Sequence, residues 1–189
     1  MLHHDESLLL KRAAAGHTEA FRVLFERHRE AVYRFAWHLS GNSGSAEDVT
    51  QECFLRLVRH PQRFDAGRGS LRQYLYGMVR NLVRQHRDAA ARELPLEEEG
   101  EPALPARPPA WSETADVARA VHAAVTELPA LQREALALFE FEGLSLEETA
   151  AVVGADVGTV KSRLYRARER LRRALAPYGK EKQAPRSLP

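Results

Sequence analysis

Apolar residues recur at three-and-four spacing along nearly the whole chain, and no stretch alternates apolar with polar side chains as a half-buried strand would. That period predicts an all-α protein. It fails in one place, residues 93–116, which carry seven acidic residues against one arginine, for a net charge of −6, and hold five of the chain's ten prolines. Such a segment buries too little apolar area to offset the entropy lost on ordering, so it predicts an extended, flexible acidic linker between two small helical domains. The expected division is a helical domain over 1–92, the linker over 93–116, a second helical domain over 117–177 and a tail over 178–189.

In the first domain, helices are expected over 5–15 and 18–39. The second is opened by Thr18 with Glu19 and turns Phe21, Leu24, Phe25, Val32, Phe35 and Ala36 inward. Gly41 to Gly44 breaks the chain, and Ser45 is the expected cap of a helix reaching about His60. Val49, Cys53, Phe54, Leu57 and Val58 turn inward there, which leaves Asp48, Gln51, Glu52, Leu55, Arg56 and Arg59 outward. A loop containing Phe64-Asp-Ala-Gly-Arg-Gly69 leads to Ser70, the expected cap of a helix from Leu71 to about Arg87. That helix interleaves Tyr74 and Tyr76 with Arg72, Arg80, Asn81, Arg84 and Arg87, a mixture suited to stacking unpaired bases and holding phosphates. Its tyrosines also fit a packing role beside the core stripe of Leu71, Leu75, Met78, Val79 and Leu82.

The second domain ends in the most basic helix. Residues 156–173 carry seven cations and two carboxylates, summing to +5. Asp156 stands as an N-cap, Val160, Leu164, Ala167 and Leu171 form one apolar stripe, and Gly158, Ser162, Tyr165 and Arg166 lie roughly opposite. Residues 144–153 predict a shorter helix before it, capped by Ser145, with Glu148 closing a capping box. Small Ala150 permits close approach, Gly154 a left-handed turn residue, and Val160 fills the corner. That is the steric recipe of a helix-turn-helix, with an ordinary helical hairpin bearing a solvated basic face as the other reading.

The formal charge of +2 conceals these opposed segments. Cys53 is the one cysteine, which excludes an internal disulfide and reads as a buried thiol in a reducing compartment. His3, His4, His17, His28, His38, His60, His86 and His122 lack metal-ligand spacing, and no glycine-rich phosphate loop is present. The expectation is a non-enzyme with no catalytic residue, cofactor or metal. No long apolar run or leader occurs, so the expected setting is cytoplasmic, without membrane insertion.

Several stretches, in this order, resemble the RNA polymerase sigma factors of the sigma-70 family, extracytoplasmic-function (ECF) group. They are Val32-Tyr-Arg-Phe-Ala36, residues 46–57 around Asp48-Val-Thr-Gln-Glu52, residues 64–76, Arg80-Asn81, Leu128-Pro129 with Gln132-Arg-Glu134, and residues 158–168. The resemblance implies a sigma-2 helical bundle over 1–92 and a sigma-4 helix-turn-helix over 117–177. It implies docking on the clamp of the polymerase largest subunit through Asp48, Gln51, Glu52, Leu55 and Arg56, and a contact with the flap of the second-largest subunit. It assigns melting and capture of single-stranded −10 promoter DNA to Phe64, Asp65, Arg68, Gly69, Tyr74, Tyr76, Asn81 and Arg84. Duplex −35 DNA falls to Val157, Gly158, Thr159, Lys161, Ser162, Arg163, Tyr165 and Arg166.

The linker resembles the acidic segment that such proteins thread toward the active-site cleft and RNA exit channel. Many relatives carry Trp at Tyr74 and Asp at Gln85, so −10 preference is expected to differ. With only fourteen residues after Leu175, control is expected from a separate anti-sigma factor rather than an appended domain. A two-domain helix-turn-helix regulator that binds duplex DNA without polymerase is the alternative function.

Overall fold

A computed structural model describes residues 2–93 and 113–179. Most of the expected acidic linker and the tail from 180 onward lie outside the described residues. Every regular element within them is helical: α1 (Leu2–Ala14), α2 (Thr18–Ser40), α3 (Ser43–Arg59), a 3-10 turn (Pro61–Arg63), α4 (Leu71–Glu93), α5 (Glu113–Thr126), α6 (Ala130–Leu136), a π turn (Ala137–Phe141), α7 (Leu146–Val153), α8 (Val157–Ala174) and a final 3-10 turn (Ala176–Gly179). The all-α expectation therefore holds, with α1–α4 in one helical domain and α5–α8 in the other.

Local chemistry explains the helix ends, and in three places it differs from the sequence expectation. Gly41, at φ 82°, ends α2 in a left-handed turn and donates its N–H to the Trp37 carbonyl, returning the chain in extended form at Asn42. Asn42 rather than Ser45 is thus the N-cap of α3, its side-chain oxygen accepting from the Ser45 N–H at 2.7 Å. At α2 the N-cap is His17, which makes no side-chain capping bond, so Thr18 already lies inside the helix. Ser70 behaves as expected at α4: its Oγ accepts from the Gln73 N–H while Gln73 Oε1 accepts from the Ser70 N–H. The run Ala89-Ala-Ala-Arg92 is rich in strong helix formers and carries α4 past Arg87 to Glu93.

In the first domain α2, α3 and α4 enclose Leu24, Val32, Phe35, Phe54, Leu57, Leu75 and Leu82. Phe25 meets Phe54 edge-on at 4.9 Å, and α1 closes the bundle with Leu10 and a buried pair in which His28 Nε2 lies 2.8 Å from Glu6 Oε1. Cys53 is fully enclosed, and burial pushes its thiol up to about 12, the state of an inert core side chain.

The two domains are docked on each other around one fully buried carboxylate. Glu142 follows the π turn, and its side chain has no solvent exposure. It accepts Arg34 Nε at 2.8 Å, Arg34 Nη2 at 2.9 Å and the Tyr76 hydroxyl at 2.6 Å, while Arg72 donates to its backbone carbonyl. Burial and the Glu142 carboxylate together raise the Tyr76 phenol, so the hydroxyl stays a donor. Around this centre Trp37 stacks on His122 at 3.9 Å and His38 on Phe141 at 4.3 Å.

Both histidines are held neutral. Burial lowers His38 to about 4 against the opposing pull of Glu142, with His122 and Arg34 adding repulsion, and burial also lowers His122. Domain separation returns both rings to water, so the separated form binds more protons below the ordinary histidine value of 6.5. The docked form keeps its full stability above that value and loses it as pH falls toward 4, where His38 titrates in place. Scattering or inter-domain fluorescence transfer should therefore report expansion between about pH 6.5 and about pH 4.5. The double variant His38→Gln, His122→Gln should flatten that dependence.

Candidate nucleic-acid interface

The basic helix is built as its sequence predicts. Asp156 Oδ1 accepts from the Thr159 N–H at 2.8 Å and Oδ2 from the Thr159 hydroxyl at 2.6 Å, bonds that hold the carboxyl below its usual range. Ser145 and Glu148 form the reciprocal capping box on α7, and Gly154 turns the chain at φ 65°. Val160 has no exposure and Leu164 and Ala167 continue the buried stripe. Gly158, Lys161, Ser162, Tyr165 and Arg166 are exposed, whereas Val157, Thr159 and Arg163 are half-buried at the edges of that face. A Cβ at Gly158 would stand 3.0 Å from Asp156 Oδ1, so glycine there leaves room for the cap. Tyr165 is 66 % exposed, a large aromatic with no packing duty in its own domain.

On the first domain, the 3-10 turn, the loop after it and α4 form a cleft of about 550 Å³. Phe64, Asp65, Arg68, Gly69, Tyr74, Asn81 and Arg84 all line it, joined by Arg63 and Met78, which sequence reasoning did not single out for DNA. Phe64 and Tyr74 lie with ring centroids 5.6 Å apart and give the cleft an aromatic wall. Asp65 Oδ1 accepts from the Gly67 N–H at 2.9 Å and shapes the loop. Gly69 adopts φ 148°, and a Cβ there would meet Gln73 Oε1 at 2.6 Å, so only glycine lets Gln73 cap α4. Ala151 and Val152 of α7 close the far edge of the cleft.

Tyr76 is the exception among the expected −10 residues. It points away from the cleft, is fully buried, packs edge-on against Phe35 at 5.0 Å and bonds Glu142. In this docked arrangement it presents no face to DNA.

The expected polymerase-docking residues lie along α3. Asp48, Gln51 and Leu55 are exposed, Leu55 by 52 %, on the outer side of the bundle. Glu52 instead ties α3 to α4 by accepting from His86 Nε2 at 2.9 Å and from Arg56, and Arg56 lines the cleft. The row is thus divided between an exposed edge and a pair that stands beside the cleft and braces α3 against α4.

Residues 24–93 match the family model for sigma-70 region 2 and residues 118–171 that for sigma-70 region 4. The chain is 36 % identical over 160 residues to the ECF RNA polymerase sigma factor SigE of Mycolicibacterium smegmatis, covering 84 % of this chain and 62 % of that one. It is 30 % identical to the RNA polymerase sigma-H factor of Pseudomonas aeruginosa, over 96 % of this chain and 99 % of that one. Against the ECF sigma factor SigC of Mycobacterium tuberculosis it is 37 % identical, over 84 % and 85 %. Two solved structures share the fold. One is CnrH in complex with the cytosolic domain of CnrY, with a TM-score of 0.65 at 25 % identity, covering 92 % of this chain and 98 % of that one. The other is the sigma factor RpoE in complex with the anti-sigma factor NepR from Bartonella quintana, with a TM-score of 0.64 at 29 % identity, over 82 % and 96 %.

The split between stripe and face on α8 can be measured. Leu164→Ala should destabilise the second domain by about 2–5 kcal/mol in urea unfolding, because it leaves a cavity under the helix. Tyr165→Ala, on the exposed side, should leave the unfolding midpoint unchanged within error.

Proposed function

Since this chain belongs to the sigma-70 family of RNA polymerase sigma factors, in its ECF group, we propose that it directs core polymerase to promoters by reading two DNA elements with its two domains. The observation that carries this reading is the cleft into which Phe64, Asp65, Arg68, Tyr74, Asn81 and Arg84 converge. It combines an aromatic wall, cations and an amide, which are the groups needed to stack an unpaired base, read its edge and hold its phosphate. A −10 base leaves the duplex at a cost of a few kcal/mol, which contacts in the cleft offset, so melting is driven by binding.

The exposed face of α8 meets the major groove at −35. Arg166 takes a guanine O6 and N7 as a bidentate donor, and Lys161 holds a phosphate. Asp48, Gln51 and Leu55 dock on the clamp of the largest subunit, and the second domain sits on the flap of the second-largest. The anti-sigma factor NepR in the complex of RpoE supports control of this chain by a protein of that kind.

Runoff transcription with purified core polymerase on a genomic promoter library tests the reading, and protein-dependent transcripts are the expected result. Their absence with core that remains active under another sigma factor would overturn it. On cognate −35 DNA in the holoenzyme, Arg166→Ala should lose about 1–3 kcal/mol and relax one base preference, while Lys161→Ala weakens cognate and scrambled sequences alike.

A further inference from the structure

A second cleft, about 450 Å³ in volume, lies where the C-terminal half of α4 meets α6. Arg80, Arg84 and Arg87 follow one another at four- and three-residue spacing, so they share one face of α4, and all three line this cleft. The second domain contributes a fourth arginine, Arg133. Among the described residues only Arg80 is neutralised by an ion pair, its Nε donating to Glu134 Oε2 at 2.8 Å. Asp88 is the other carboxylate on the wall, so Arg84, Arg87 and Arg133 leave an excess of two positive charges.

Arg133 is the unusual member of the set. It is only 8 % exposed, and its Nη1 donates to the Thr126 carbonyl at 2.8 Å, which accounts for one nitrogen. Its Nε is enclosed and meets no acceptor among the described residues. A buried donor without an acceptor is costly, and a guanidinium with an unengaged edge is suited to a carboxylate or phosphate that offers two oxygens. Burial lowers Arg133, and repulsion from Arg87 of the other domain adds to the lowering against the pull of Glu134. Two guanidiniums are thus held near each other across the domain boundary, with no anion between them.

Volume and charge narrow the ligand. The cleft falls in the ordinary range of small-molecule sites, about 300–1,000 Å³, and is larger than one phosphate fills. Its excess charge suits a diphosphate better than a monoanion. Leu39 and Val83 are buried on its wall and Leu131 is 49 % exposed beside them, an apolar surface for an uncharged body attached to the phosphates. A nucleic-acid strand fits less well, because it needs an open groove to track along, whereas Arg133 is enclosed.

We propose that this cleft binds a diphosphate group, free as pyrophosphate or carried by a nucleoside diphosphate, which Arg84 and Arg87 of the first domain and Arg133 of the second hold between them. The ligand bridges the domains. Neither domain alone supplies the full set, so binding stabilises the docked arrangement by mass action.

Arg84 also lines the first cleft, so the test rests on residues that do not. Isothermal titration of the full chain with sodium pyrophosphate should show one site, at least about tenfold tighter than for sulfate at equal ionic strength, and pyrophosphate should raise the thermal unfolding midpoint. Arg87→Gln and Leu131→Glu, one from each domain, should each weaken binding about tenfold, and Asp88→Asn should tighten it about threefold. Arg133→Lys keeps the charge but loses the fork, so it should weaken binding as well, and Leu131→Glu carries the second-domain test if that variant fails to fold. Tighter binding of a nucleoside diphosphate than of pyrophosphate assigns the apolar wall to the nucleoside, and equal or weaker binding assigns the site to pyrophosphate itself. Pyrophosphate binding no tighter than sulfate, or parental affinity in either Arg87→Gln or Leu131→Glu, would overturn the proposal. No arm reads DNA, so the promoter function stands or falls separately.

Discussion

The arrangement of the whole chain turns on the Glu142 carboxylate. An ionised side chain with no exposure is stable only if its oxygens are met by donors, and here three come from the other domain: two guanidinium nitrogens of Arg34 and the Tyr76 hydroxyl. Removing a partner from a buried ion pair costs about 3–5 kcal/mol in general, but the arginines here are 42 % exposed, so solvent screening makes each of these contacts weaker than that. The docked state is therefore held by a network that orients the domains sharply without binding them irreversibly. The aromatic stacks of Trp37 on His122 and His38 on Phe141 extend the same seam with dispersion and apolar burial, which salt does not screen.

Much of the fold was legible because its determinants are local. Ser145 with Glu148, Gly154 and Asp156 act within one turn of themselves, and the Val160, Leu164, Ala167 stripe follows from helical period alone. Most of the cleft could also be anticipated, since the larger part of its lining comes from a loop and helix that adjoin in sequence, while Arg56, Ala151 and Val152 are brought in by packing. Two caps were displaced by neighbours: the left-handed Gly41 moved the start of α3 to Asn42, and His17 took the place expected of Thr18.

What could not be read was the docking. Glu142 meets Arg34 and Tyr76 from 108 and 66 residues away, and nothing in the residues around it distinguishes it from the exposed Glu140 or Glu147. Tyr76 shows the consequence. Periodicity places it beside the core and composition places it beside the arginines, yet only the long-range carboxylate explains why its hydroxyl is enclosed. Arg56, which helical period places outward on α3, also lines the cleft because α4 stands beside it, and that neighbour cannot be read from α3 alone.

The seam covers Tyr76 and the flank of α4 that carries Arg72 and Arg80, while the cleft beside it keeps a volume of about 550 Å³ and Lys161, Tyr165 and Arg166 on α8 stay exposed. Docking depends on apolar area and on two neutral histidines, so it weakens as pH falls, whereas salt acts only on ion pairs such as those around Glu142.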